Sequence, residues 1–160
     1  KFLYEQDFVN KKLIGIVGHS WGGDIGIFAA SKYSVQSLVT IAARSSTDHF
    51  ISSHFSTDEI EELLRKGTFV THDYKTMSSD FLIDFKNYDL KKSASKIKCP
   101  WLILHGTDDK RAPYSEAREL YSYVPEKTID IVEMADHTFS GEHRQYLLDT
   151  VGNWFNKTMK

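Results

Sequence analysis

The chain has 160 residues, 41% of them hydrophobic and 26% charged, which is the size and balance of one domain around one core. Its formal net charge of −2 argues against a surface built for nucleic acid or for an anionic membrane. No apolar run is long enough to span a bilayer, and no signal-peptide pattern opens the chain.

Residues 1–9 read as the end of a helix, with Phe2, Leu3 and Phe8 as buried positions, so the chain is expected to begin inside a domain. Residues 13–17 are an apolar run that reads as a buried strand. It ends in Gly18-His19-Ser20-Trp21-Gly22, a very tight turn with Ser20 at its apex, and residues 20–33 follow as a helix. Gly18 and Gly22 are expected to be the positions where a Cβ would clash as strand and helix cross. Residues 38–42 form a second strand. Residues 44–98 change character and become polar, aromatic and helical. There Thr57 can cap a helix through Ile60, Leu63 and Leu64 that stops at Gly67, and Ser78 or Ser79 can cap another through Phe81, Leu82, Ile83 and Phe85. Pro100 introduces a third strand at 101–104, ending in His105-Gly106. A helix at about 114–123, a fourth strand at 129–132 and a last helix at about 141–156 complete the chain. The strands are near-continuous apolar runs, the pattern of a parallel sheet covered on both faces, which gives an α/β fold.

Three polar residues sit just after strands, where sites form in open α/β sheets. They are Ser20, Asp109 in the stretch 105–113, and His137 in the stretch 135–139. A Ser20 hydroxyl at the apex would project from the sheet edge beside the positive end of the following helix. A serine hydroxyl is a weak nucleophile until a base takes its proton, an imidazole is suited to that, and a carboxylate fixes the useful tautomer. Each residue also has a plainer reading. Ser20 can be an ordinary helix N-cap, His137 a surface-loop histidine, and Asp108 competes with Asp109 as the acid. Among the other histidines, His19, His49, His54, His72, His105 and His143 show no clear metal spacing. His105 reads as a structural strand-end residue, and Cys99 as a buried small apolar residue. Cys99 is the only cysteine, so an intrachain disulfide is impossible, which suits a reducing, cytoplasmic setting. Lys91, Lys92, Lys96 and Lys98 read as a solvated face.

The sequence G-x-S-x-G at 18–22, H-G-x-x-D-x-x-A-P at 105–113 and D-H-x-F at 136–139, in the order Ser, acid, His, resembles the α/β-hydrolase superfamily, in its serine esterase or its S9/S33-like peptidase branch. The resemblance runs along the whole chain but matches only the C-terminal part of the usual fold. It implies a single partial domain over 1–160, with a mostly parallel sheet flanked by helices and a helical cap inserted at 44–98. It further implies Ser20 as nucleophile, His137 as general base and acid, Asp109 over Asp108 as the orienting carboxylate, and the Trp21 N–H as an oxyanion donor. Gly18, His19 and Gly22 form the nucleophile elbow, with His19 packed behind the nucleophile. No metal or organic cofactor is implied.

The expected activity is cleavage of small-molecule acyl esters through an acyl-enzyme. The alternatives are a serine peptidase or aminopeptidase of the same superfamily, or a catalytically incomplete chain acting as an interaction module. The family's early strands, and the loop that gives a second oxyanion donor, have no counterpart here. The strand at 13–17 is therefore expected at a sheet edge, where a missing N-terminal half or a second copy could pair. Phe50, Phe55, Phe69, Tyr74, Phe81, Phe85 and Tyr88 either line an apolar pocket or form the cap's own core, the latter favoured for Phe81 and Phe85.

Overall fold

The computed structural model describes residues 2–70, 76–124 and 128–160. His72 and Tyr74 lie outside the described residues, as do the side chains of His54 and Phe69.

In chain order, a 3₁₀ turn (Phe2–Glu5) precedes β1 (Gly15–His19), α1 (Trp21–Lys32) and β2 (Ser37–Ile41). Then come α2 (Thr47–His54), α3 (Thr57–Lys66), β3 (Thr68–Val70), β4 (Thr76–Ser78), α4 (Ser79–Phe85) and α5 (Leu90–Ala94). The chain closes with β5 (Trp101–Gly106), α6 (Ser115–Tyr123), β6 (Thr128–Val132) and α7 (His143–Thr158). β1, β2, β5 and β6 form one four-stranded sheet in the order β1-β2-β5-β6, while β3 and β4 make a separate antiparallel pair. Every ladder in the larger sheet is parallel, with Gly15 opposite Ser37, Leu38 opposite Trp101 and Leu102 opposite Thr128. Parallel neighbours need crossovers, and α1, the long segment between β2 and β5, and α6 supply them.

Alternation along the strands divides the core in two. Leu38, Trp101 and Ile103 point to one face, where they meet Ile27 and Phe28 of α1 and Ala117 and Leu120 of α6. Val39, Ile41, Leu102 and Leu104 point to the other, where Ala135, Phe139 and the α7 residues Leu147, Val151, Trp154 and Phe155 cover them. The whole of β2 and β5 is buried, which is why both read as near-continuous apolar runs.

Local chemistry sets most element ends. Ser56, not Thr57, caps α3: its Oγ accepts from Glu59 N, and the Glu59 carboxylate accepts from Ser56 N at 2.8 Å. That reciprocal box fixes the start one residue early. Gly67 ends the same helix in the left-handed region at φ 76°. Ser78 caps α4.

Three expectations are corrected. The first nine residues are not the end of an α-helix. The 3₁₀ turn is followed by local bonds from Gln6 N to Leu3 O and Val9 N to Gln6 O, and Phe2, Leu3 and Phe8 are exposed. β1 begins at Gly15, where the ladder with β2 begins, and continues through Gly18 and His19, so the strand includes part of the expected turn. Among the described residues, the segment between β2 and β5 packs into the sheet's core and does not form a separate one. Phe50, Phe55, Leu63, Leu82, Phe85 and Leu90 join the core on the α1 face of the sheet. Among the described residues, β1 pairs only with β2, and no helix is long and apolar enough to cross a membrane.

Candidate active site

The C-terminal ends of β1, β5 and β6 deliver Ser20, Asp109 and His137 to one place. Ser20 follows β1 directly, and its amide donates to Ile41 O at 2.7 Å, continuing the β1–β2 ladder by one more bond. Its carbonyl accepts from Gly23 N at 2.8 Å and so begins α1. Between those two duties the residue is forced to φ 54°, ψ −126°, a conformation that costs on the order of 1–3 kcal/mol outside glycine. Ser20 occupies the N-cap position, yet its side chain makes no capping bond among the described residues. Its Oγ lies 2.9 Å from His137 Nε2 instead.

The glycines around it act differently from expectation. A Cβ on Gly18 would lie 2.2 Å from Gly22 O, so Gly18 is where strand and helix touch. A Cβ on Gly22 would meet no atom of the described residues within 4 Å. The second close approach belongs to Gly23, whose Cβ would lie 2.7 Å from Ala43 Cβ.

Asp109 is 4% exposed. Its Oδ1 accepts from the amides of Arg111 and Ala112, each at 2.9 Å, and its Oδ2 lies 2.8 Å from His137 Nδ1. A carboxylate only accepts, so His137 Nδ1 carries the proton and Nε2 is left to accept from the Ser20 hydroxyl. Burial would raise the Asp109 pKa. The bonds from His105, His137, Ala112 and Arg111 outweigh it and hold the carboxyl well below the usual range. His105 is fully buried, with Nε2 2.7 Å from Ala112 O and 3.3 Å from Asp109 Oδ2, so the strand-end histidine fixes the acid's loop. The loops after β5 and β6 cross tightly, since a Cβ on Gly106 would lie 2.1 Å from Ala135 O.

The neighbouring residues take other parts. Asp108 is exposed and paired with Lys110. Asp136 turns away and accepts from the amides of Thr138 and Ser140, each at 2.9 Å, which shapes the loop carrying His137. His19 does not pack behind Ser20. Its ring lies 4.9 Å from that of His137, and its Nε2 is 2.7 Å from His137 O. Trp21 begins α1, so its amide is among the helix's first N–H groups, which lack intrahelical partners. Its indole meets Phe81 at 4.9 Å and Phe50 at 5.6 Å. A groove of about 380 Å³ runs from it along α1, lined among others by Ile25, Phe28, Phe81, Phe85 and Tyr88. Cys99 is half-buried, and burial raises its thiol pKa. The four lysines at 91, 92, 96 and 98 are exposed.

Sequence reasoning passed over a buried polar layer beneath these residues. Asp24 in α1 is fully buried and accepts from Arg44 N at 2.9 Å. Arg44, just past β2, is 2% exposed and donates from Nη2 to Arg111 O at 2.8 Å. Glu116 of α6 accepts from Ser45 N at 2.7 Å and lies 2.9 Å from His49 Nδ1. His49, Glu116 and Glu119 bring possible ligand atoms within 4.8 Å of one another, although no spacing in the sequence marked them. The signal that was there is a charge inside an apolar run, Asp24 among Gly23, Ile25 and Ile27, and Arg44 directly after Ala42-Ala43.

A model of the prolyl oligopeptidase family matches residues 1–160. No curated protein matches the sequence. Among solved structures the chain is similar to Est1E from Butyrivibrio proteoclasticus, with a TM-score of 0.79 and 17% identity over 98% of this chain and 65% of that one. It is similar to alpha/beta hydrolase domain-containing protein 10 from mouse, at 0.72 and 21% identity over 94% of this chain and 65% of that one. It is also similar to an acylaminoacyl peptidase solved with Z-Gly-Gly-Phe-chloromethyl ketone, at 0.71 and 20% identity over 99% of this chain and 26% of that one. The chain thus spans 65% of the length of the first two of these structures.

Proposed function

The chain belongs to the prolyl oligopeptidase family and carries the α/β-hydrolase fold over part of the length of its relatives, and on that premise we propose that it is a serine hydrolase of carboxylic acyl esters. The observation that carries this reading is the unbroken line from Ser20 Oγ through His137 to Asp109, at 2.9 Å and 2.8 Å. In it Ser20 attacks the ester carbonyl as His137 Nε2 takes the hydroxyl proton. Asp109 holds the imidazole by Nδ1 and stabilises the imidazolium that forms. His137 then gives the proton to the departing alcohol, which leaves an acyl group on Ser20. Water, deprotonated by the same nitrogen, releases the acid. The Trp21 amide, at the positive end of α1, is the proposed donor to the oxyanion. The segment 44–98 is the proposed cap, and its aromatic groove beside Trp21 the proposed apolar surface for the substrate. A cytoplasmic setting is proposed from the single cysteine.

The test is labelling of the intact protein with a fluorophosphonate, together with turnover of a small acyl ester. We expect one label per chain, at Ser20, and loss of both label and turnover in Ser20→Ala. Label elsewhere, or ester turnover that survives Ser20→Ala, sinks the proposal. A second reading, a serine peptidase, draws on the matching family's name and on the peptidase among the similar structures. The two part on substrate: an intact protein that cleaves peptides and leaves esters untouched is the peptidase.

A further inference from the structure

We propose that Arg44 is a positioning residue for the acid and histidine, clamping the loop that carries Asp109 from the end of β2. The inference rests on the serine-hydrolase reading above. A guanidinium 2% exposed is costly to bury unless its partners are well placed. Here one partner is a single peptide group. The Arg111 carbonyl accepts from Arg44 Nη2 at 2.8 Å, and the N–H of the same peptide, on Ala112, donates to Asp109 Oδ1 at 2.9 Å. The unit is planar and rigid, so it cannot rotate without breaking both bonds. Pulling on the carbonyl also polarises the N–H that faces the carboxylate. The next carbonyl, of Ala112, is held by His105 Nε2 at 2.7 Å. Arg44 and His105 therefore fix consecutive carbonyls, and the amides of Arg111 and Ala112 are left facing Asp109.

Arg44 is itself held. Its amide donates to Asp24 Oδ1, its guanidinium carbon lies 5.3 Å from the Phe50 ring centroid, and the charges of Asp24, Glu116 and Asp109 oppose the cost of its burial. The arrangement links α1, the end of β2 and the loop after β5 through one residue.

The experiment is a double-mutant cycle in the intact protein between Arg44→Met and Asp109→Asn, read as ester kcat and KM. We expect Arg44→Met to lower kcat about tenfold or more with KM nearly unchanged, but to cost less than about threefold in the Asp109→Asn background. Arg44→Lys, which keeps the charge but not the planar fork, should recover part of the loss. A second readout does not need turnover: the downfield proton resonance of His137 Nδ1–H in Ser20→Ala protein should shift or broaden when Arg44→Met is added. An equal cost in both backgrounds, or an unmoved resonance, overturns the proposal. If Arg44→Met does not fold, Arg44→Gln and Arg44→Lys run the same cycle. Ester turnover that survives Ser20→Ala would instead sink the serine-hydrolase reading, and the resonance would still judge Arg44.

Discussion

Asp108 and Asp109 are adjacent and chemically identical, and their surroundings separate them completely. Asp109 is buried with both oxygens engaged, one by two amides and one by His137. Asp108 faces solvent with Lys110. Replacing Asp109 by Asn keeps the shape but puts an amide where His137 needs an acceptor, which permits the wrong tautomer. Turnover is therefore expected to fall by roughly 10⁴-fold, the size of that change in the serine-protease triad taken as template. Asp108→Asn removes only an exposed ion pair and is expected to leave kcat within about twofold. Steady-state kinetics of both variants checks this, and the reverse ranking would move the acid to Asp108. The spacing that carries the family resemblance, from His105-Gly106 to Pro113, already favoured Asp109. What the spacing did not contain is the support, because His105, Arg44 and the Arg111–Ala112 peptide meet only in the folded chain.

At the scale of elements, the packing of α1 against β1 decides which glycines are needed. Gly18→Ala would push a Cβ to 2.2 Å from the Gly22 carbonyl, a backbone atom that cannot swing aside, so strand and helix must part. The cost expected is about 3 kcal/mol or more, toward the upper end for overpacked sites. Gly22→Ala meets open space in the first turn of a helix, and is expected to stabilise by up to about 1 kcal/mol through backbone propensity. Thermal unfolding of the two variants tests the pair: a lower midpoint for Gly22→Ala than for Gly18→Ala would contradict the geometry. The motif located the turn and the clash at Gly18, but it placed the second clash at Gly22 and not at Gly23, because a spacing pattern does not carry helix phase. Each residue turns by about 100° around α1, so Gly23 faces Ala43 while its neighbour faces out. The same limit explains the N-terminal residues: Phe2 and Phe8 are apolar, but burial depends on a surface to pack against.

Over the whole molecule, the parallel sheet was legible since β2 and β5 are buried on both faces and carry near-continuous apolar runs. β1 is only partly buried and has one strand partner among the described residues. We propose its outer edge as the place where a further strand, from another segment or a second copy, adds to the sheet. The buried polar layer was not legible, because its members come from α1, the end of β2 and α6. That layer leaves a mark on stability. Burial lifts the Asp24 pKa from 3.8 to about 7 despite the Arg44 amide and charge, and its Oδ2 has no hydrogen-bond partner among the described residues. A carboxyl with a raised folded pKa binds more protons folded than unfolded, so its effect is a loss of stability as pH rises from about 4 to 7. Asp109 has the opposite sign: its depressed pKa gives stability that is complete above the unfolded value and lost only as pH falls below it. Between pH 5 and 8 Asp109 is therefore constant and Asp24 varies. Every other group contributes equally in a variant that lacks only the Asp24 carboxyl. Urea unfolding of the wild type and Asp24→Asn at pH 5 and pH 8 isolates the difference. The variant should gain on the wild type by on the order of 2 kcal/mol across that interval, since a neutral amide never has to be buried as an anion. A difference that stays flat, or that falls as pH rises, would mean that Asp24 is already ionised at pH 5 and that Arg44 outweighs its burial.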